Sequence, residues 1–163
     1  MIPVLTPDEM AGVDGQAPEP VEVLVARAGS AVARRAGRLL SGVFGRDITV
    51  VAGKGNNGAD GRLAAEVLSA NGARVKVLQA ADLAGGEVLT PADLVIDAAY
   101  GTGLQRAYSP PDPGRAPVLA VDIPSGLSGL TGEVPDGGGA MLAVATVTFA
   151  SLKPGLLVNR GPT

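Results

Sequence analysis

The stretch from Ile48 to Leu68 constrains this chain more than any other. Ile48-Thr49-Val50-Val51-Ala52 is a short β-branched run bounded by Asp47 and Gly53, the pattern of a buried strand. Gly53-Lys54-Gly55-Asn56-Asn57-Gly58 follows at once and fits G-x-G-x-x-G. Leu63, Ala64, Val67 and Leu68 then recur at helical spacing up to Asn71-Gly72, where the glycine is placed to cap. Strand, glycine-rich turn and helix in this order form the start of a βαβ unit, and the amides that open such a helix can approach an anion closely. A dinucleotide reading also asks for an acidic residue at the end of the second strand, roughly 20 residues beyond the glycines. That place holds Leu78 and Gln79. Two asparagines and Asp60 instead add side-chain ligands to a turn that would otherwise need only backbone.

The remaining pattern extends the unit into a sheet. Val75–Leu78, Leu94–Ile96, Val118–Val121 and Ala145–Phe149 read as four further strands, and a parallel sheet with right-handed crossovers is the simplest topology. Upstream, Thr6-Pro7-Asp8-Glu9 has the capping hydroxyl, the proline at the first helical position and the glutamate of a capping box, so a short helix starts there. Leu24, Val25, Ala28, Val32, Ala36 and Leu39 predict a second, amphipathic helix from Val21 to about Leu40, its arginines forming a solvated face. Residues 80–93 carry Gly85-Gly86 and Pro91, and residues 108–117 carry four prolines, so neither connection holds a long helix. The second half of the sheet is therefore expected to be thinly covered on one face, or covered by the N-terminal helices or a partner subunit.

Composition narrows the chemistry. At 163 residues the chain fits one domain, residues 1–163. It has no cysteine and no histidine, which removes disulfides, thiolate and imidazole catalysis and the usual zinc, iron or copper sites. Acid–base work falls to carboxylates, lysine or tyrosine, and a bound cation should be a hard one held by oxygens. A net charge of −3 and 2% aromatic residues argue against nucleic acid as a partner. No apolar run reaches the length of a membrane span and no export signal precedes the first helix, so a cytoplasmic, membrane-free protein is expected.

Two later strands end alike, as Ile96-Asp97-Ala98-Ala99-Tyr100-Gly101 and Val121-Asp122-Ile123-Pro124-Ser125-Gly126. In a parallel sheet these ends share one rim with the glycine-rich turn, and ligands bind outside the carboxyl ends of such strands. Asn56, Asn57, Asp60, Asp97, Asp122 and Ser125 are thus expected to converge.

At these residues the sequence resembles the NAD(P)H-hydrate epimerase family, the YjeF N-terminal domain family. The likeness runs through Arg27-Ala28-Gly29, Gly55-Asn56-Asn57-Gly58-Ala59-Asp60-Gly61, Asp97 to Gly103, Val121 to Gly126, Thr146-Val147-Thr148-Phe149 and Lys153-Pro154-Gly155. It implies an α/β fold, a three-layer Rossmann-like sandwich with a mainly parallel sheet, often dimeric. It implies epimerisation of the R and S hydrates of NADH and NADPH (NADHX and NADPHX), in partnership with an ADP-dependent NAD(P)H-hydrate dehydratase. Carried over by position, Asn56, Asn57, Gly58, Ala59 and Asp60, then Gly101, Thr102, Gly103, Leu104, Gln105, Arg106 and Ala107, together with Asp122, would contact the hydrated cofactor. Asn57, Asp97 and Ser125 would ligate one potassium ion (K+). Asp122 is the candidate general acid–base, with Asp60 in reserve, and Lys54 and Lys153 are candidates to neutralise the pyrophosphate.

Ala59 stands at the usual second glycine of the turn and Val144 at a usual aspartate. The segment after Leu104 is shorter than typical, and the domain is expected to be shortened at its C-terminus. These departures keep a second reading open, a non-catalytic nucleotide-binding or protein-interaction module that retains the fold.

Overall fold

The computed structural model describes residues 2–104 and 106–159. Helix α1 (Pro7–Gly15) opens on the expected capping box: the Thr6 amide and hydroxyl donate to Glu9 Oε2 at 2.8 and 2.9 Å, and the Glu9 amide donates back to Thr6 Oγ1 at 3.3 Å. Helix α2 (Val21–Leu39) follows after the prolines, then β1 (Asp47–Ala52), α3 (Asn56–Ala70), β2 (Arg74–Gln79), β3 (Leu94–Ala98), β4 (Val118–Val121) and β5 (Ala145–Val147). Helix α3 ends where the sequence predicts, with Gly72 at φ +88°.

All five strands are parallel, in the order β2-β1-β3-β4-β5. In β1, Val50 lies opposite Val77 of β2 and Ile96 of β3. Because side chains alternate along a strand, the sheet presents two apolar faces. Ile48, Val50 and Ala52, with Ile96, Leu119 and Val121, pack on Val32 and Ala36 of α2 and Ala64 and Leu68 of α3. Each fully buried Val, Leu or Ile contributes about 1.5–3 kcal/mol of transfer free energy. The two helices cross closely: a methyl at Gly29 of α2 would lie 2.8 Å from Leu63 Cβ of α3.

The opposite face, through Val51, Val95 and Val118, packs on Ala80, Leu89, Ala99, Tyr108 and Met141. These residues come from loops and a 3-10 turn at Ala80–Asp82, so among the described residues the third layer contains no α-helix. The Gly85-Gly86 and proline-rich connections explain it, since neither sequence sustains helical hydrogen bonding. On the helical face, α2 extends over the second half of the sheet, where Val147 and Phe149 join its cluster. Strand β5 is shorter than the expected Ala145–Phe149. Thr148 and Phe149 leave the ladder for a tight turn in which Ala150 has φ +58° and the Ser151 amide donates to the Phe149 carbonyl at 2.6 Å.

Candidate functional site

The strand order reverses at β1: the chain goes from β1 outward to β2, then crosses back to β3 on the other side. In doubly wound sheets such a reversal opens a crevice at the carboxyl ends of the two strands, and the order 2-1-3-4-5 is a standing example of it. Here the crevice lies between the turn after β1 and the segment after β3. The turn is pressed tightly into place. A methyl on Gly53 would lie 1.9 Å from the Ala99 carbonyl oxygen, and one on Gly58 would lie 1.9 Å from the Gly53 carbonyl oxygen. Only glycine allows these approaches. Arg62, one turn further along α3, donates to the same Gly53 carbonyl at 2.9 Å and to Gln79 Oε1 at 2.7 Å, tying the turn to the end of β2.

A cleft of about 1130 Å³ opens at this rim. Its floor is Lys54 to Asn57 with Asp60, and one wall is Ala99 to Leu104 with Arg106. Asp122, Thr148 to Ala150 and Lys153 close the far end, while Met10 of α1 and Val21, Leu24 and Val25 of α2 supply an apolar wall. Gly55 caps α3 without a side-chain bond, and the first intrahelical amide at the turn is that of Ala59, donating to Gly55 O at 3.1 Å. The preceding amides, at Asn56, Asn57 and Gly58, need acceptors from outside the helix.

Of the residues carried over from the resemblance, Asn56, Asn57, Asp60, Gly101, Thr102, Gly103, Leu104, Arg106 and Asp122 line this cleft. Gly58, Ala59 and Ala107 do not line it, and Gln105 lies outside the described residues. The extra methyl of Ala59 is therefore not set against the cleft. Val144 is 63% exposed and sits away from the cleft.

Asp97 and Ser125 are both completely buried, below the cleft. Asp97 accepts hydrogen bonds from the Ser125 amide at 2.7 Å, the Ser125 hydroxyl at 2.6 Å and the Ala99 amide at 3.4 Å. Burial pushes its carboxyl up to about 6, and these three donors pull against that rise. Ser125 Oγ in turn accepts from the Tyr100 amide at 2.9 Å and lies 3.0 Å from the Tyr100 carbonyl. One residue on, a methyl at Gly101 would meet Asn57 Cβ at 3.7 Å and Asp122 Oδ2 at 3.4 Å. The strand ends thus bring Asp97, Ser125, Asn57 and Asp122 to the two sides of a short segment, Tyr100-Gly101. Asn57 has both Oδ1 and Nδ2 buried with no hydrogen-bond partner. An orphaned buried amide of this kind can accept a partner from outside the chain, an ordered water or an ion. The donors here are a carboxylate, a hydroxyl, an amide oxygen and a nearby carbonyl, a set that fits a hard monovalent cation.

Asp122 occupies a left-handed backbone conformation at φ +67°, unusual for a residue with a Cβ. Its Oδ1 accepts from Lys153 Nζ at 2.5 Å and from Thr148 Oγ1 at 3.3 Å. Lys153, 2% exposed, also donates to Thr148 Oγ1 at 2.9 Å and to the Phe149 carbonyl at 3.1 Å. That uses its three protons, so it is not available to neutralise a pyrophosphate. Lys54, exposed in the glycine-rich turn, keeps that possibility. Asp60 is 8% exposed and makes no hydrogen bond among the described residues. Burial, and then the charge of Asp122, raises its carboxyl to about 7.

Local pattern held no signal for the Lys153–Asp122 pair, because nothing in a spacing of 31 residues specifies an ion pair. It also gave none for the apolar wall: Val21, Leu24 and Val25 lie on a stripe that helical periodicity can only assign to burial. Arg106 lies over the Tyr100 ring at 5.5 Å, and Tyr100 meets Tyr108 edge to face at 4.9 Å, contacts likewise invisible to local pattern.

Residues 21–86 and 79–155 match the profile of the family described as YjeF-related protein N-terminus. The chain is 36% identical to an NAD(P)H-hydrate epimerase of Limosilactobacillus fermentum, with 70% of this chain and 68% of that one covered. It is 33% identical to an NAD(P)H-hydrate epimerase of Leuconostoc mesenteroides, with 99% and 86% covered. It is also 37% identical to the bifunctional NAD(P)H-hydrate repair enzyme Nnr of Escherichia coli, matching 68% of this chain but only 27% of that longer protein. Among solved structures, yeast ynu0 superposes with a TM-score of 0.72 over 94% of this chain and 82% of its own, at 20% identity, a likeness of fold.

Proposed function

The chain belongs to the YjeF-related N-terminus family, and from that premise we propose that it is an isomerase that interconverts the R and S epimers of hydrated NADH and NADPH. The stereocentre of such a hydrate is a carbon bearing both a hydroxyl and the ring nitrogen. When the carbon–oxygen bond breaks, the hydroxyl must take up a proton and leave as water, with the nitrogen lone pair stabilising the carbon. When water returns to the opposite face, it must give up a proton. Opening and reclosing the ring at the carbon–nitrogen bond makes the same demand. Either route needs a proton donor and a proton acceptor beside one carbon.

The observation that carries the reading is that two carboxyl groups close enough to feel each other's charge, Asp60 and Asp122, line one cleft whose floor is a helix-opening glycine turn. Asp122 is the acid–base group of this proposal. The uncapped amides at the start of α3, with Lys54 beside them, suit the pyrophosphate of the hydrated cofactor. The apolar wall from α1 and α2 suits its bases and keeps bulk water off them.

Asn57, Asp97 and Ser125 would hold potassium, as the orphaned Asn57 amide and the all-oxygen donor set support. When bound, the ion supplies a hard positive charge to that oxygen cluster. The same reading makes an ADP-dependent dehydratase acting on one epimer the functional partner, and a second copy of the chain a further one. Among the described residues no helix is long and apolar enough to cross a membrane.

The test is direct. Pure R-hydrate is mixed with the protein, and the S form is followed by chromatography with potassium and with sodium in its place. We expect acceleration over the spontaneous rate, greater with potassium. Asp122→Asn should lower turnover roughly 100-fold or more while leaving affinity for the hydrate largely intact. Wild-type protein that leaves the spontaneous rate unchanged would exclude the epimerase reading, and full activity in Asp122→Asn would remove that residue from the mechanism.

A further inference from the structure

We propose that Lys153 is the positioning residue for Asp122, fixing Oδ1 so that Oδ2 is the oxygen that exchanges protons with the substrate. The proposal rests on the epimerase reading above and goes beyond it in naming the residue and the atom.

The arrangement is built from two separate stretches of chain. Behind β5, the turn Thr148 to Lys153 is bent by Ala150 at φ +58°. This folds the Phe149 carbonyl and the Thr148 hydroxyl around the ammonium, at 3.1 and 2.9 Å. The Ser151 carbonyl stands further off at 3.4 Å. The remaining proton goes to Asp122 Oδ1 at 2.5 Å. A lysine 2% exposed is rare unless paired, and this one is paired with a carboxylate lining the cleft.

Asp122 Oδ1 is therefore occupied twice, by Lys153 and by the Thr148 hydroxyl at 3.3 Å. Oδ2 makes no hydrogen bond among the described residues, and lies 3.4 Å from where a methyl on Gly101 would sit, against the cleft wall. Asp122 also sits at φ +67°, so its backbone alone does not favour this placement; the ammonium supplies the tether. A carboxylate held by one oxygen presents the other in a single orientation, which is what proton transfer to and from the hydroxyl on a bound carbon centre requires.

The test uses Lys153→Met, alone and combined with Asp122→Asn. We expect Lys153→Met to keep KM within about twofold while kcat falls ~100-fold, since the tether acts on proton transfer and not on the uniform binding of the cofactor. Combining it with Asp122→Asn should give no further loss beyond that of Asp122→Asn alone, because Lys153 acts only through that carboxylate. The double variant also avoids leaving the partly buried Asp122 carboxylate without its lysine, so it keeps the test open if Lys153→Met alone does not fold. A Lys153→Met protein with wild-type kcat, or a double variant at least tenfold slower than Asp122→Asn, would overturn the proposal. Inactive wild-type protein would instead strike at the epimerase reading itself.

Discussion

Asp60 lies one turn into α3 with its carboxyl largely buried at the cleft floor, and the consequence is a stability that depends on pH. Burial, then the charge of Asp122, lifts its carboxyl to about 7. The native state therefore holds this proton more tightly than the unfolded chain does. Stability from Asp60 is fully present below the ordinary carboxylate range and is lost as pH rises toward and through about 7. Asp60→Asn removes the charge, so its melting temperature relative to wild type should rise between pH 5 and pH 8, by about 3 °C for a net gain near 1 kcal/mol. Calorimetry at the two pH values checks this, and an unchanged difference would refute it. The residues whose placement near the rim was legible from sequence alone stand beside glycines at strand ends or at the helix start: Asn57, Asp97, Asp122 and Ser125. Lys153 was singled out for the pyrophosphate instead, because lysine reads as surface and its burial against Asp122 depends on a tertiary partner.

At the scale of elements, the β1–turn–α3 unit was readable because two periods meet there, alternation giving way to helical spacing across a glycine-rich junction. The structure adds why those glycines are needed. A methyl on Gly58 would lie 1.9 Å from the Gly53 carbonyl and 2.9 Å from Arg62 Nη1, and the carbonyl cannot yield without opening the turn. At Gly55 nothing stands within 4 Å. Gly58→Ala should therefore destabilise by about 2 kcal/mol in urea unfolding and weaken nucleotide binding. Gly55→Ala should cost less than about 1 kcal/mol, the difference between glycine and alanine at a helix N-cap. Equal losses at the two positions would contradict the packing described. Strand β5 was overestimated for a different reason. Thr148 and Phe149 have strand-forming side chains, but their backbone and hydroxyl groups are drawn out of the ladder toward the Lys153 ammonium.

For the molecule as a whole, the number and direction of the strands followed from local pattern, while their order did not, since pairing between distant segments leaves no periodic trace. That neither later connection holds a long helix was readable from its glycines and prolines, but not that α2 and α3 pack side by side on one face. Yet the order decides where the cleft lies, because the reversal at β1 puts the glycine turn, the Tyr100-Gly101 segment and Asp122 on one rim. The opposite rim carries surface ion pairs, Arg74 with Asp47 at 2.6 Å and Arg46 with Asp93 at 3.2 Å, of a kind that contributes little to stability. A ligand in the cleft should thus slow local opening on one side alone. With saturating NADPH as an unhydrated probe, amide hydrogen exchange should slow at least ~10-fold at Asn56, Asn57 and Gly101 to Gly103, residues that line the cleft. Exchange at Arg46, Asp47 and Gly72 to Arg74 should stay as in the free protein. Protection spread evenly over both rims, or confined to the ion-paired one, would mean that the cleft at the strand ends is not where the nucleotide sits.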